Sequence, residues 1–160
     1  MPDAVGEREL GLAFSSVSPR PYVNETTQYL GQAWWSTKVD ERWSLTALAA
    51  FEEASAAGGA ALRFDIAAGR WLALAAEVEG GLFWGAVSVP VTLRLWHGTA
   101  LYSAPRLGTW GSELTPFIPL GLSVQVAETL ALRAEAQLSW SDFQYYNRRF
   151  HWGLAVAHQW

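Results

Sequence analysis

The sequence predicts an all-β fold, an eight-stranded antiparallel up-and-down transmembrane β-barrel, and three observations lead there. Large apolar residues recur at every second position over much of the chain, the alternate positions hold Ala, Gly and Ser with isolated charges, and the connectors alternate between short and long. Hydrophobic residues make up 51% of the chain, yet no stretch approaches the roughly 20 apolar residues of a membrane-spanning helix. Charged residues amount to 16%, against about a quarter in an ordinary soluble domain, and Lys38 is the only lysine. An exterior able to hold such a chain in water is missing. At 160 residues the length suits one domain, spanning 1–160.

The alternation is clearest near the C-terminus. Phe150, Trp152, Leu154, Val156, His158 and Trp160 form one set, and His151, Gly153, Ala155, Ala157 and Gln159 the other. Before it, Leu130, Leu132, Ala134, Ala136, Leu138 and Trp140 alternate with Ala131, Arg133, Glu135, Gln137 and Ser139. A helix would not sort residues with period two. Ile118, Leu120, Leu122, Val124 and Val126 mark the preceding strand, joined to the next through Glu128 and Thr129 as a tight hairpin. Val87, Val89, Val91, Leu93 and Leu95 mark another, interrupted at Pro90, which has no N–H for the ladder; either Phe83 or Trp84 could face outward before it. The remaining strands are centred on Leu72 to Val78, Leu62 to Ile66, Trp43 to Phe51 and Leu10 to Phe14. The segment from Tyr29 to Lys38 is read as part of a long loop, because a ninth strand would put the chain ends on opposite sides.

Short connectors at Glu79–Gly81, Ala127–Thr129 and Glu53 to Gly59 are expected on the periplasmic side. Long ones at Ser18 to Glu41, His97 to Thr115 and Asp142 to Asn147 are expected outside, although Ala68 to Arg70 fits this rule poorly. The apolar face is expected to point toward lipid, since its alternate is too small and too sparsely charged for a water-facing exterior and suits a narrow lumen. On that lumen face fall Arg63, Asp65, Glu77, Glu79, Arg94, Arg133 and Glu135, expected to pair as a polar core that plugs the barrel, with Arg133 as the hub. Strand direction puts Arg63, Glu77, Glu79, Arg133 and Glu135 in the periplasmic half and Arg94 near the external rim. Among the 10 tryptophans, Trp43, Trp140 and Trp152 are expected at the external membrane interface, and Trp160 with Phe51 at the internal one. Trp71, Trp84 and Trp96 do not sit clearly on the lipid face.

Several classes are disfavoured. The net charge of −4 and scattered arginines do not make a nucleic-acid surface. With no cysteine there is neither a disulfide framework nor a thiolate metal site, and His97, His151 and His158 lie far apart without carboxylates at ligand spacing, so no metal or cofactor is assigned. The first residues lack a basic segment followed by an apolar one, so an exported chain is read here as a mature form behind a start methionine.

The segment Thr115 to Trp160 resembles the OmpA-like and opacity-protein-like family of small outer-membrane barrels. The resemblance rests on Pro116-Phe117-Ile118-Pro119-Leu120-Gly121-Leu122, on Leu130-Ala131-Leu132-Arg133-Ala134-Glu135 running into Ser139-Trp140-Ser141-Asp142-Phe143, and on a last strand ending in an aromatic. It implies a bacterial outer-membrane location, a signal peptide, and insertion by the assembly machinery that reads the terminal strand. Trp160 matches that signal, whereas Ala155 stands where a glycine is common. A lipid A deacylase of similar size would carry His and Ser two residues apart on a late strand, but Gln137-Leu138-Ser139 lacks the histidine. His151 is expected in the lumen within reach of Ser139 or Ser141; a lone histidine is more often a structural group, and no catalytic residue is assigned. The expected function is a structural or surface-interaction barrel meeting outer-membrane lipid, with an external loop ligand left open. The alternatives are a lipid A-modifying enzyme, a narrow channel, and a soluble lipocalin-like binding barrel.

Overall fold

The computed structural model describes residues 8–18, 27–52, 55–82, 84–96, 98–110, 113–140 and 148–160. They form β1 (Arg8–Val17), β2 (Gln28–Lys38), β3 (Trp43–Glu52), β4 (Ser55–Ala68), β5 (Leu72–Gly81), β6 (Trp84–Ser88), β7 (Val91–Arg94), β8 (Thr99–Ser103), β9 (Arg106–Trp110), β10 (Glu113–Ala127), β11 (Leu130–Trp140) and β12 (Arg148–Gln159). Every pairing is antiparallel, and β1 pairs with both β2 and β12, which closes the sheet on itself. Both β6 and β7 pair with β5, and both β8 and β9 pair with β10, so each couple is one wall strand broken near a proline. The wall therefore has 10 strands rather than eight.

The two extra strands are β2 and the β8–β9 strand, both inside spans expected to be loops. Adding both keeps the number even, so the two ends of the described chain still lie together, but it reverses the direction of every strand between them. The end that carries Arg8 and Trp160, the terminal end, also carries the turns at 39–42, 69–71 and 128–129, the end of β7 and the start of β8. The last residues of β3 and β5 lie at the opposite end, so the expected grouping of Glu53–Gly59 and Glu79–Gly81 with Ala127–Thr129 is corrected. Residues 55–59 belong to β4, and residues 80–81 to β5. The expected loop at Asp142 to Asn147, and also Phe83 and His97, lie outside the described residues.

The barrel is polar inside and apolar outside. Leu12, Phe14, Leu45, Leu62, Val78, Leu120, Leu132 and Leu154 are exposed on the outer face, Leu120 at 64%. Buried positions are held by Ala61, Ala73, Ala75, Ala131 and Ala157 together with Glu9, Thr46, Arg63, Arg133 and Gln159. Small residues are needed there because large rings occupy the same space. The Trp34 ring lies against Gly11 and the Tyr102 ring against Gly121, where even a Cβ would collide. Trp84 points inward, its ring against Gly59 and Gly81, which fixes the register before Pro90.

Candidate functional site: the barrel lumen

The terminal half of the lumen is built around Glu9, the second residue of β1. Alternation puts it on the face opposite Leu10, Leu12 and Phe14, and its cross-strand partners Gln159 and Ser36 share that face. Its side chain is 1% exposed. Arg133 on β11 donates from one terminal nitrogen to Oε1 at 2.9 Å and from the other to Oε2 at 2.6 Å. Trp34 Nε1 donates to Oε1 at 2.7 Å, and Gln159 Nε2 to Oε2 at 2.7 Å. Four donors from β2, β11 and β12 thus saturate one carboxylate, and the Arg133 guanidinium lies 5.8 Å from the Trp34 ring centroid. A buried charge is tolerated only when paired and hydrogen-bonded in this way.

The residues expected to form the polar network divide among several sites. Arg63 and Asp65 pair at 2.9 Å in the terminal half of β4. Arg133 joins Glu9, not Glu135, because its planar fork matches the two oxygens of one carboxylate. The centre of the cluster is therefore an acid, not the arginine. Glu135 instead hydrogen-bonds Tyr102. Glu79 accepts from Arg106 at 2.8 Å, and Glu77 accepts from Ser88 at 3.5 Å. Arg94 donates to the carbonyl of Gly69 at 3.0 Å. With the middle strands reversed, Arg94 lies at the terminal end rather than near the opposite rim, while Glu77 and Glu79 lie toward the end away from the termini.

Two of the interface aromatics, Trp43 and Phe51, exchange ends for the same reason. Trp43 begins β3 at the terminal end, the end that also carries Trp160, and Phe51 lies near the other end of that strand. Trp43 packs on Phe64 at 4.8 Å, and Trp160 stacks on His158 at 5.4 Å. Trp152 is 43% exposed and meets Phe14 edge-on. Trp140 closes β11 at the end away from the termini, with its side chain outside the described residues. Trp71 and Trp96 are exposed, with Arg70 over the Trp71 ring at 5.0 Å.

The other half of the lumen holds a cavity of about 620 Å³. Trp34, Thr46, Ala61, Tyr102 and Arg133 line its inner end, and it reaches the strand ends at Val17, Ser55 and Trp84. Leu30, Leu48, Ala50, Ala57 and Gly59 line one side, and Glu79, Arg106, Gln137 and His151 the other. Ser139 Oγ lies 2.9 Å from His151 Nε2. Ser139 is buried and does not border the cavity, and the charged groups acting on the ring are Arg106 and Arg149. No carboxylate orients this histidine among the described residues, so the pair has the geometry of a brace between β11 and β12.

Glu9, Trp34, Tyr102, Arg106 and Gln159 were not singled out by sequence. Extending the alternation one residue before Leu10 would have placed Glu9 in the lumen. Arg106 and Tyr102 gave no such signal, since they lie in the short pieces of a broken strand.

No protein-family model matches the chain, and no curated protein sequence matches it. Among solved structures, Ail, the attachment invasion locus protein of Yersinia pestis in complex with the heparin analogue sucrose octasulfate, aligns over 94% of this chain and 95% of that chain at TM-score 0.47 and 12% identity, too loosely to carry an argument. The KdgM porin in complex with disordered oligogalacturonate aligns over 95% of this chain and 99% of that chain, with TM-score 0.59 and 7% identity. The chain shares the closed antiparallel barrel fold of that porin.

Proposed function

We propose that the chain is an integral barrel of a bacterial outer membrane, sealed at its terminal end by the Glu9 cluster and serving a structural or surface-interaction role. The supporting observation is the polarity of its two faces: the ladder closes on itself, large apolar side chains cover the outside, and charges are turned inward. Closure satisfies backbone groups without water, as a bilayer requires, and an apolar band of this extent is not tolerated on a soluble monomer. The short turns of the terminal end then face the periplasm and the opposite end faces outward. Outer-membrane lipid is the permanent partner and the assembly machinery a transient one. Deleting Trp160 should slow insertion in cells more than it lowers stability in vitro.

Folding in detergent or lipid, with aggregation in buffer alone, tests the membrane assignment. A folded, monodisperse chain without amphiphile would overturn it. Planar-bilayer recording tests the seal, and little or no steady conductance is expected from the parent protein. A stable open channel would replace the sealed reading with a porin one.

A further inference from the structure

The half of the lumen that the Glu9 cluster leaves unfilled has two unlike walls. Across β2, β3 and β4 the inward residues include Leu30, Gln32, Leu48, Ala50, Ala57 and Gly59, without a charged group among them. Across β9 to β12 they include Arg106, Phe117, Glu135, Gln137 and His151, with Glu77 and Glu79 of β5 beside them. Arg106 lies over the Phe117 ring at 4.6 Å, and His151 meets the same ring edge-on at 6.5 Å. Glu79 takes one terminal nitrogen of Arg106, its Nε has no partner, and 34% of its side chain is exposed where it borders the cavity. The guanidinium's charge is thus only partly met by the fold, its Nε being buried and the open part of the group lying elsewhere on it. The cavity, at about 620 Å³, lies within the roughly 300–1,000 Å³ range of small-molecule sites.

The wall beside Arg106 is also the most interrupted part of the barrel. Ala75 N donates to Pro90 O at 2.9 Å and Val89 N to Pro105 O at 3.0 Å, and in neither pair can the proline return the bond. The register continues unbroken across these gaps, which sets Pro119 of β10 opposite Ala104. Three successive ladders therefore lack one donor at the same level. The inward row there, Ala75, Pro90, Ala104 and Pro119, carries no long side chain, and Ala104 and Pro119 border the cavity.

We propose that this half of the lumen binds a single-chain anionic amphiphile, its alkyl tail against the Leu30–Leu48–Ala50–Ala57 wall and its anionic head at Arg106, entering from the bilayer through the proline-interrupted wall. The inference rests on the membrane-barrel reading for the source of the ligand, and on the cavity alone for the site. A soluble anion would use Arg106 but gain nothing from the apolar wall, and a neutral hydrocarbon would leave the guanidinium's charge only partly met. The amphiphile satisfies both.

The test uses the full chain in nanodiscs of diacyl phosphatidylcholine, loaded with palmitate, lysophosphatidate or hexadecanol, with retained ligand read by native mass spectrometry. One palmitate or one lysophosphatidate per barrel is expected; the two arms separate a free fatty acid from a lysolipid as the source, and retention of either supports the site. Hexadecanol should be retained roughly tenfold less, the equivalent of about one charge-assisted hydrogen bond. Arg106→Gln should lower retention of the anion by a similar factor and leave hexadecanol unchanged, while Ala50→Trp should abolish both. Folding of each variant is checked by heat-modifiable gel mobility. Retention of neither anion, equal retention of the alcohol, or indifference to both substitutions would overturn the site. In the cysteine-free chain, Ala86→Cys with Gly108→Cys places two thiols on a directly opposed pair whose Cβ atoms would lie 3.5 Å apart, suited to a disulfide that ties β6 to β9 and leaves the prolines in place. Oxidation should slow loading relative to the reduced form, and equal rates would overturn the lateral route. Steady conductance combined with binding would defeat the sealed-barrel reading while leaving the site intact.

Discussion

The two halves of the lumen are lined by the same strands and differ in how charge is accommodated. In the terminal half, Glu9 and Arg133 are 1% and 5% exposed, and every oxygen of the acid is engaged. In the other half, Arg106 and Glu79 are 34% and 11% exposed, around space that no side chain fills. Aromatic size accounts for part of the contrast: Trp34 and Tyr102 lie across the middle of the lumen and divide packed from unpacked volume. A dry ion pair fixes a structure, whereas a wetter one beside a void is free to meet something else.

The sharpest way to break this comparison is Arg133→Ala. It should strand Glu9 without its main partner and cost about 3–5 kcal/mol, read by urea unfolding in lipid vesicles. A loss under about 1 kcal/mol, typical of surface pairs, would mean that the terminal half is as wet as the other. Next in size is Leu120→Arg, on the outer face near the middle of β10, which should cost about 2–4 kcal/mol in the same titration. Equal tolerance of Leu120→Arg and the inward Ala13→Ser would show that the faces are reversed. Ser139→Ala removes the hydroxyl bonded to His151 and should cost about 1 kcal/mol. A loss as large as that of Arg133→Ala would make that brace an equal of the Glu9 cluster. Smallest is Arg106→Gln, whose half-open pair should contribute about 1 kcal/mol or less. A ratio of these two arginine effects near unity would erase the distinction between the halves.

What the sequence made legible follows the strength of its alternation. The strands β10, β11 and β12 and their shared hairpin were readable because each places Leu, Val or an aromatic outward with little exception. In β2 the pattern is blurred, since Gly31 and Ala33 face outward while Leu30 and Trp34 face the lumen. Binary reading sees no strand where the inward residues are larger than the outward ones. The β8–β9 strand was hidden differently, by a break at Ala104–Pro105 into pieces of 5 residues each. Missing both left the closed-barrel class intact but reversed the intervening strands, which misplaced Trp43, Phe51 and Arg94 along the axis. On β11 Arg133 and Glu135 lie on the face that lines the cavity, but pairing across strands depends on neighbours that alternation cannot name.

Arg8 and Trp160 exchange backbone hydrogen bonds, N to O at 3.2 Å and 3.1 Å, so the first and last described residues meet in one ladder. The wall is a cycle, and in a cycle no strand is first except by the order of synthesis. The Glu9 cluster draws on β1, β2, β11 and β12, which stand on both sides of the place where that cycle joins. A chain without β12 would lack a ligand of the carboxylate and a strand of the wall together, and would present two raw edges instead of none. Completion of the circuit and burial of its charge are therefore one event, supplied by the last described strand.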